Sequence, residues 1–174
     1  ANISTTASLE PDIIANAPES HLRLRDKLRN YAISHYDYTI IDTPPNLGSF
    51  VLSSLYASDF VIVPIDSGSG DSVEGLLKAM TIIDSARGKV NTDLRFLRLL
   101  INRYTTRESV CTVITNNLTE SFGAERIFKT IIPAQTAFKK AELLKSTIFT
   151  VDSSAKGTTA FRNLASELIS IVEV

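Results

Sequence analysis

The chain has 174 residues, 44% of them hydrophobic, with a single cysteine and a formal net charge of -1 at pH 7. At this length, folding can bury about two-thirds of the surface of the unfolded chain, so one folded domain over residues 1–174 is expected without disulfides. The charge balance excludes a global basic field as the means of attracting nucleic acid or an anionic membrane. Any such binding needs a local patch.

The sequence also argues against membrane insertion and secretion. No apolar run approaches the roughly 18 residues of a membrane span, and the first residues lack the basic-then-apolar pattern of a signal peptide. The last residues, 168–174, are apolar and acidic, which disfavours an amphipathic membrane anchor. A cytoplasmic protein is expected, associated with the nucleoid if it binds DNA.

Apolar residues at helical spacing alternate along the chain with short β-rich runs. Residues 1–19 are polar and are expected to have little regular structure. The continuous apolar run over residues 60–63 is typical of a strand covered on both faces, and Pro64 is expected to end it because proline has no backbone donor. The other expected elements are a helix capped by Ser20 that ends near His35, a strand over Tyr38–Ile41, a helix capped by Asp71 and Ser72 that ends at Gly88, a strand over Phe96–Ile101, a helix from Val110 that ends at Gly123, a strand over Ile127–Ile132, and helices over Phe138–Leu144 and Thr158–Val172.

Strands separated by segments of helix length predict repeated βαβ units. The expected fold is therefore α/β, with a mostly parallel sheet flanked by helices on both faces. Ligands of such sheets bind beyond the carboxyl ends of the strands. The residues that follow the predicted strands are the candidates for a site: Asp42–Gly48, Asp66–Gly70, Asn102–Thr105 and Pro133–Gln135.

Asp42 follows a β-rich run, which places its carboxylate at the end of a predicted strand. Mg²⁺ takes oxygen ligands, or acceptors for its bound waters, so a role like that of a Walker B aspartate is one interpretation. The alternative is an aspartate that forms a turn with its own loop. Strand-ending aspartates are common, and this residue alone leaves both interpretations open.

The segment 36–48, YDYTIIDTPPNLG, resembles the Walker B and switch II segment of ParA/MinD-type partitioning ATPases. The resemblance implies a P-loop NTPase-like fold and an ATP- and Mg²⁺-dependent, dimerising switch. Such a protein binds DNA non-specifically, segregates plasmid or chromosomal DNA and is stimulated by a ParB-like partner. The likeness covers about residues 31–172 and continues through 59–65, 74–76, 100–104 and 131–133 to Glu142, Ser153, Phe161 and residues 164–167.

The resemblance also implies roles for individual residues. Asp42 would hold a Mg²⁺-bound water, and the loop that begins with Thr43 and Pro44 would report on the γ-phosphate. Asn102, followed by Arg103, would contact adenine through its side-chain amide, which offers both a donor and an acceptor. The segment with Ile132 and Pro133 would flank the base, with Pro133 as its wall.

One part of the family pattern is absent from the sequence. No G-x-x-x-x-G-K-[ST] loop occurs among the 174 residues, and neither does the family's first switch. We therefore expect a chain that corresponds to the C-terminal larger part of such an ATPase, lacking its first strand and P-loop, and that hydrolyses ATP only if they are supplied. The alternatives are a non-catalytic interaction or DNA-binding module with the same fold, or a ParA-like positioner of other cargo.

The Gly/Ser loop over residues 66–72 leads into a predicted helix, where backbone amides could hold an anion. It has no lysine to reach a phosphate, so a flexible loop with a helix cap is the simpler interpretation. The resemblance favours contact with a partner at this loop.

The last third of the chain carries cations that are candidates for DNA phosphate contacts. Charge runs are more often solvated faces, and this alternative stays open. The candidates are Lys139, Lys140, Lys145, Lys156 and Arg162; a second candidate set is Arg95, Arg98, Arg103 and Arg107, in which Arg98 could instead pair with a carboxylate.

Three further residues are assigned structural roles. Cys111 lies in an apolar pattern and is expected to be buried. His21 and His35 have no metal-ligand spacing around them, and both are expected to be exposed to solvent.

Overall fold

The computed structural model describes residues 10–69 and 72–173. By its contacts the chain divides into two compact units, Ala1–Val61 with Leu77–Phe96 and Ile62–Leu76 with Leu97–Val174. The helices and strands are, in chain order, α1 (residues 10–15), α2 (Glu19–His35), α3 (Ser49–Ala57), β1 (Phe60–Asp66), α4 (Ser72–Lys89), β2 (Arg95–Asn102), α5 (Ser109–Phe122), a short 3-10 turn (Ala124–Arg126), α6 (Thr136–Leu143), α7 (Ile148–Val151) and α8 (Lys156–Val172).

β1 and β2 form a two-stranded sheet. The backbone N–H of Arg95 donates to the carbonyl of Asp59 at one end, and that of Ser67 donates to the carbonyl of Asn102 at the other. Pairs that advance in the same direction along both strands make the pairing parallel. Helices flank this small parallel sheet, which confirms the predicted α/β class.

β1 runs through Pro64 to Asp66, so the predicted end at Pro64 was wrong. Proline is tolerated where a strand has no neighbour on one side, because the donor that it lacks is not needed there. The exposure of Pro64 agrees with this position, and residues 60–63 are half-buried rather than covered on both faces.

The N-terminal residues that the structure describes are more regular than predicted. Residues 10–15 are helical, and the Ser20 hydroxyl donates to the carbonyl of Ile13 instead of capping α2, whose N-cap is Pro18. This fold-back covers the start of α2. His21 is buried, 7% exposed, with its ring edge-on to Tyr56 of α3, so its predicted exposure was wrong. His35 is exposed as expected.

Helix α3 was not predicted from the sequence. Its serines disguise it, because serine usually favours turns. Here the hydroxyls of Ser53 and Ser54 donate to backbone carbonyls four residues earlier, inside the helix. The Glu10 carboxylate accepts a hydrogen bond from the Ser49 N–H, 3.2 Å away, and so satisfies a donor at the start of α3.

The predicted strand over Tyr38–Ile41 is wrong. Residues 38–44 have neither helix nor strand, and residues 39–41 form no backbone–backbone hydrogen bond with another described residue. The side chain of Ile40 is 88% exposed. A β-rich run becomes a strand only when a neighbour supplies ladder hydrogen bonds and covers its side chains.

The remaining helix predictions agree with the structure to within a few residues. α5 ends at Gly123, whose φ of +85° is the backbone conformation that glycine adopts most easily. Gly88 lies inside α4, one residue before the helix ends, and Asp71 lies outside the described residues. Cys111 is fully buried as predicted. None of the helices in the described ranges has the length and apolarity that crossing a membrane requires.

Candidate functional site

Asp42 lies in the first unit, in an irregular segment whose side chains are exposed from residue 41 to residue 47. It borders an open groove of about 630 Å³ that is also lined by Arg23, Lys27 and Pro44. The carboxylate is therefore accessible to a hydrated cation. Asp42 does not follow a strand, so that part of the prediction was wrong.

The Asp42 carboxylate could serve Mg²⁺ only as one of several ligands or acceptors around the ion. Within the described part of the chain, no three His, Cys, Asp or Glu side chains stand close enough to hold an ion. Mg²⁺ commonly keeps several waters and takes its other ligands from substrate phosphates. A single exposed aspartate suits that mode, with the carboxylate accepting a hydrogen bond from a metal-bound water.

Thr43 and Pro44 begin the loop that joins Asp42 to α3. Both are exposed, and the loop ends at Gly48, the N-cap of α3. A Cβ built on Gly48 would clash with the Glu10 carboxylate, which approaches the start of α3 closely. A larger residue at position 48 would therefore displace the Glu10 carboxylate from the start of α3.

Asn102, in the second unit, is the last residue of β2 and is held by its neighbours. Its carbonyl accepts hydrogen bonds from the backbone N–H and the hydroxyl of Ser67, both 3.1 Å away, and Ser67 is fully buried. The side-chain oxygen of Asn102 accepts the N–H of Arg103 at 2.9 Å. This bond fixes the direction in which the half-buried amide leaves the strand end.

Arg103 has a left-handed backbone, with φ of +55°. This conformation is unfavourable for residues other than glycine by roughly 1 kcal/mol. The guanidinium is 71% exposed and lies 3.5 Å from the carboxylate of Asp66. The chain thus turns sharply directly after the candidate base-contacting residue.

The segment over residues 127–134 runs alongside β2 in parallel, as bridges rather than as the predicted continuous strand. The N–H of Phe128 donates to Leu99, and the N–H of Ile132 donates to Ile101. The two donors are four residues apart in the segment, whereas their acceptors are two residues apart in β2. The segment therefore bulges between the two donors. The prediction of a strand over Ile127–Ile132 was right about its direction and wrong about its continuity.

The Glu167 carboxylate of α8 accounts for this bulge. Its two oxygens accept the N–H groups of Lys129 and Thr130, at 2.8 and 2.9 Å, and the guanidinium of Arg98 lies 3.0 Å away. The amides in the bulge are thus satisfied by a side chain instead of by β2. Arg98 pairs with a carboxylate, as one of its two interpretations predicted.

Burial, the largest single effect on the Glu167 carboxyl, acts to raise its pKa. The hydrogen bonds from Lys129 and Thr130 and the charge of Arg98 act in the opposite direction and outweigh burial, so the pKa lies below its ordinary value of 4.5. Glu167 is therefore ionised at neutral pH, and its charge is shared among three partners.

Pro133 and Ile132 lie at the end of this segment. The carbonyl of Ile132 accepts the N–H of Tyr104, and the side chain of Ile132 is only 3% exposed. Ile132 therefore belongs to the core and holds Pro133 in place through the backbone. Pro133 is half-buried and bridges to Tyr104, and its role as a wall beside a bound base stays a prediction.

Gln135 connects the same segment to the start of α8. Its side-chain oxygen accepts the N–H of Gly157 at 2.6 Å. A Cβ built on Gly157 would come within 2.5 Å of the Phe138 ring, so only glycine permits this approach. The Phe138 ring in turn packs edge-on against Phe161, with 5.9 Å between ring centres.

In the Gly/Ser loop after β1, the backbone N–H groups of residues 67–69 are all hydrogen-bonded within the chain. The N–H of Ser67 is bonded to Asn102, and the N–H groups of Gly68 and Ser69 donate to the carboxylate and carbonyl of Asp66. Asp66 thus forms a turn with its own loop, a feature that was not predicted here; the simpler interpretation was a flexible loop with a helix cap. Residues 70 and 71 of the loop lie outside the described residues.

The five cations predicted to contact DNA are exposed and lie on α6, α8 and the turn after α6. Arg162 donates to the carbonyl of Ser153 and stacks over Phe149 at 5.5 Å, which fixes its position. In the second candidate set, Arg98 is occupied by Glu167 and Arg95 stacks on Phe60 at 4.5 Å. The first set is therefore the better supply of accessible charge.

Sequence reasoning did not assign the supporting roles of Ser67, Gln135 and Glu167, although Ser67 and Gln135 lie in the candidate ranges after predicted strands and Glu167 lies in a segment that resembles the family. Glu167 carried a signal, because it interrupts the apolar stripe of the last helix at helical spacing from Leu164 and Ile171. An acid on an apolar stripe predicts a buried partner, and Arg98 on a strand was the complementary signal. Ser67 and Gln135 carried no such pattern.

Comparison with known proteins finds similarity to chromosome-partitioning proteins. A family model described as an AAA domain matches residues 5–96, more than half of the chain. The chain is 29% identical over 156 residues to the chromosome partitioning protein ParA of Myxococcus xanthus, covering 90% of this chain and 54% of the relative. It is 29% identical over 160 residues to the chromosome-partitioning ATPase Soj of Thermus thermophilus, covering 92% and 61%.

Solved structures share the fold. Apo McdA of Cyanothece superposes with a TM-score of 0.77 at 17% identity, covering 93% of this chain and 64% of the other. Cobyrinic acid a,c-diamide synthase of Mycobacterium smegmatis, solved with an ATP analog and magnesium, superposes with a TM-score of 0.76 at 24% identity, covering 97% and 60%. The chain thus spans between about half and two-thirds of the length of these proteins.

Proposed function

This chain belongs to the ParA/MinD-type family of partitioning ATPases, and we propose that it forms the magnesium-side and base-side part of a ParA-like protein that partitions DNA. The observation that carries the proposal is the way in which Asn102 is held. Ser67 fixes its backbone, and the parallel segment that ends at Pro133 lies beside the strand end. A planar base needs such a fixed amide next to an apolar wall.

Asp42 has the other half of the proposed role. Its exposed carboxylate would accept a hydrogen bond from a water of bound Mg²⁺, and the loop that begins with Thr43 and Pro44 would respond to the γ-phosphate. The bound nucleotide supplies the phosphoanhydride bond that is hydrolysed. The chain supplies the acceptor, the base-side contacts and the loop that senses the phosphate.

The proposal includes a requirement. The triphosphate carries several negative charges, and the 174 residues contain no lysine-bearing glycine loop to neutralise them. We therefore expect that this chain alone neither hydrolyses ATP nor binds it tightly. A polypeptide that provides the phosphate loop completes the site.

Two versions of the protein test the nucleotide part. The chain alone should show no turnover and no micromolar binding of Mg²⁺-ATP in calorimetric titration. The chain joined behind a segment with a glycine-rich, lysine-bearing loop should hydrolyse ATP. Asp42→Ala should abolish that activity, whereas Asp37→Ala, which removes an exposed acid five residues earlier, should leave it intact.

Two results would contradict the proposal. Micromolar binding with turnover by the chain alone, lost in Asp42→Ala, would mean that these 174 residues contain a phosphate site of their own. Equal turnover in the joined protein with and without Asp42→Ala would remove Asp42 from the magnesium side.

The DNA part of the proposal is supported by the exposed cations on α6 and α8. Self-association and a ParB-like partner belong to the same proposal. Lys139→Glu with Lys140→Glu should weaken binding to random-sequence duplex and reduce its salt dependence, because each phosphate contact contributes about 0.9 to the slope. Arg87→Glu with Lys89→Glu on α4 changes the net charge equally and should have little effect. Unchanged binding in the first variant would place the DNA surface elsewhere.

A further inference from the structure

We propose that the end of α6 is an apolar wedge that enters the minor groove of DNA. The wedge consists of Leu143, the last residue of the helix, and Leu144, its C-cap. The inference rests on the proposed DNA binding and adds a mode of contact to it. Lysines on both sides of the wedge hold phosphates while the leucines contact the groove and unstack a base step.

The backbone at this helix end has a well-defined geometry. The N–H of Ser146 donates to the carbonyl of Ala141, and the N–H of Lys145 donates to that of Glu142, both at 3.0 Å. This pair of bonds is the Schellman closure of a helix. It holds the two leucines at a fixed turn instead of in a mobile tail.

The leucines point away from the core. Leu143 is 84% exposed and Leu144 is 60% exposed, whereas Ala141 on the inner face of α6 is 6% exposed. Burying two leucines is worth several-fold in affinity to any partner that covers them. In the described structure this surface of α6 is open to solvent.

Cations flank the wedge on both sides. Lys139 and Lys140 lie one helical turn before Leu143 and Leu144, on the same exposed side, and Lys145 follows directly. Glu142 is the acid of α6 and is exposed as well. Three cations around an apolar pair complement the phosphates on either side of a groove.

Lys145 occupies a position that normally favours glycine. Its φ of +48° lies in the left-handed region, at the residue after the helix where glycine closes a Schellman turn without strain. Lysine at this position therefore costs stability. Strain of this kind is concentrated at functional sites. Here it is tolerated at a residue whose side chain is a cation beside the wedge.

The shape of the wedge favours DNA over a lipid bilayer. A helix that lies on a membrane buries an apolar face along its whole length. α6 has eight residues and presents apolar side chains to solvent at its last turn. Wedges of one or two aliphatic residues are typical of minor-groove binding, where the base pattern is degenerate and sequence preference is weak.

Salt titration of duplex binding separates the two kinds of contact. The double variant Leu143→Ser with Leu144→Ser should bind random duplex about tenfold more weakly at every salt concentration, with an unchanged slope, because apolar contacts release no counterions. Lys145→Gly should lower the slope by about 0.9 and raise the melting temperature. Leu77→Ser, at a leucine of α4 that is 58% exposed, is the matched control and should bind like the wild type.

The outcomes distinguish the wedge from the proposed function. If the wild-type chain does not bind duplex, the DNA part of the proposed function fails, and the wedge with it. If the lysine variants lose binding and the leucine double variant does not, the wedge alone is wrong. If the leucine variant binds duplex normally but loses binding to phosphatidylglycerol vesicles, the wedge contacts a bilayer and the DNA inference is overturned.

Discussion

Two segments of the chain with the same kind of sequence have very different backbone structures. Residues 38–45 and 127–133 are both short, β-rich runs that end at proline. The first is exposed and irregular over its described length, whereas the second has backbone bonds to β2 and to Glu167. The difference teaches that β propensity alone does not make a strand. Partners for the backbone donors and acceptors decide the outcome.

The largest expected effect is the difference in unfolding free energy between alanine substitutions of two isoleucines, one in each segment. Ile132→Ala should lower the free energy of unfolding by about 3 kcal/mol, because the side chain is 3% exposed and leaves a cavity. Ile40→Ala should change it by less than about 0.5 kcal/mol, because the side chain is 88% exposed. Urea denaturation measures both. Equal losses of unfolding free energy would show that the first segment is covered in solution, and would contradict the difference between the two segments.

Glu167→Gln should destabilise the second segment by about 2 kcal/mol, because a neutral amide cannot accept both N–H groups and balance Arg98. Hydrogen exchange at the amides of Lys129 and Thr130 should accelerate more than exchange elsewhere in the second unit. Glu120→Gln, at an exposed acid of α5, is the control and should be nearly neutral. Unchanged exchange at both amides would mean that another group holds the bulge.

The same carboxylate predicts a pH dependence. Its pKa in the folded chain lies below the ordinary value of 4.5, so the folded state binds this proton less readily than the unfolded state does. The stability that it contributes is present above about pH 4.5 and is lost as the pH falls through the folded pKa. The difference in unfolding free energy between the wild type and Glu167→Gln should therefore shrink on acidification. A difference that stays constant down to about pH 3 would contradict this assignment.

The smallest expected effect concerns stability at Arg103, whose left-handed backbone follows Asn102 directly. Arg103→Gly should be more stable than Arg103→Ala by about 1 kcal/mol, because both remove the side chain but only glycine relieves the left-handed backbone. Arg107 has no such backbone, so glycine should be the less stable replacement there. Thermal unfolding of the four variants tests the order. The same order at both positions would mean that the left-handed backbone at Arg103 is not the cause.

Local patterns predicted α2, α4, α5, α6, α8 and both strands to within a few residues, but missed α1 and α3 and predicted a strand over Tyr38–Ile41 that does not form. The apolar spacing of α2, α5 and α8 and the β-rich run of β2 needed no information from distant residues. α3 was missed because its serines bond to their own helix, which the composition does not show. His21 was misplaced because its ring packs edge-on to Tyr56 of α3, a helix that was not predicted.

The candidate site was predictable only in its motif-bearing members. Asp42 and Asn102 were found because each stands after a β-rich run that resembles a family segment. Glu167 and Ser67 also lie in segments that the sequence singled out, but their supporting roles were not predicted, because these depend on hydrogen bonds to distant parts of the chain. Asp42 was expected to end a strand and does not, but its role on the magnesium side stays a prediction, which the joined protein with its Asp42→Ala variant tests.

By itself, the sequence determined the helix periods, the α/β class and the family, because these depend on residues within a few positions of one another or on contiguous motifs. The tertiary structure decided which β-rich runs found partners and where the Glu167 carboxylate lies. Glu167 reaches an amide 38 residues away. A contact at that separation depends on how elements pack, and no local pattern contains that information.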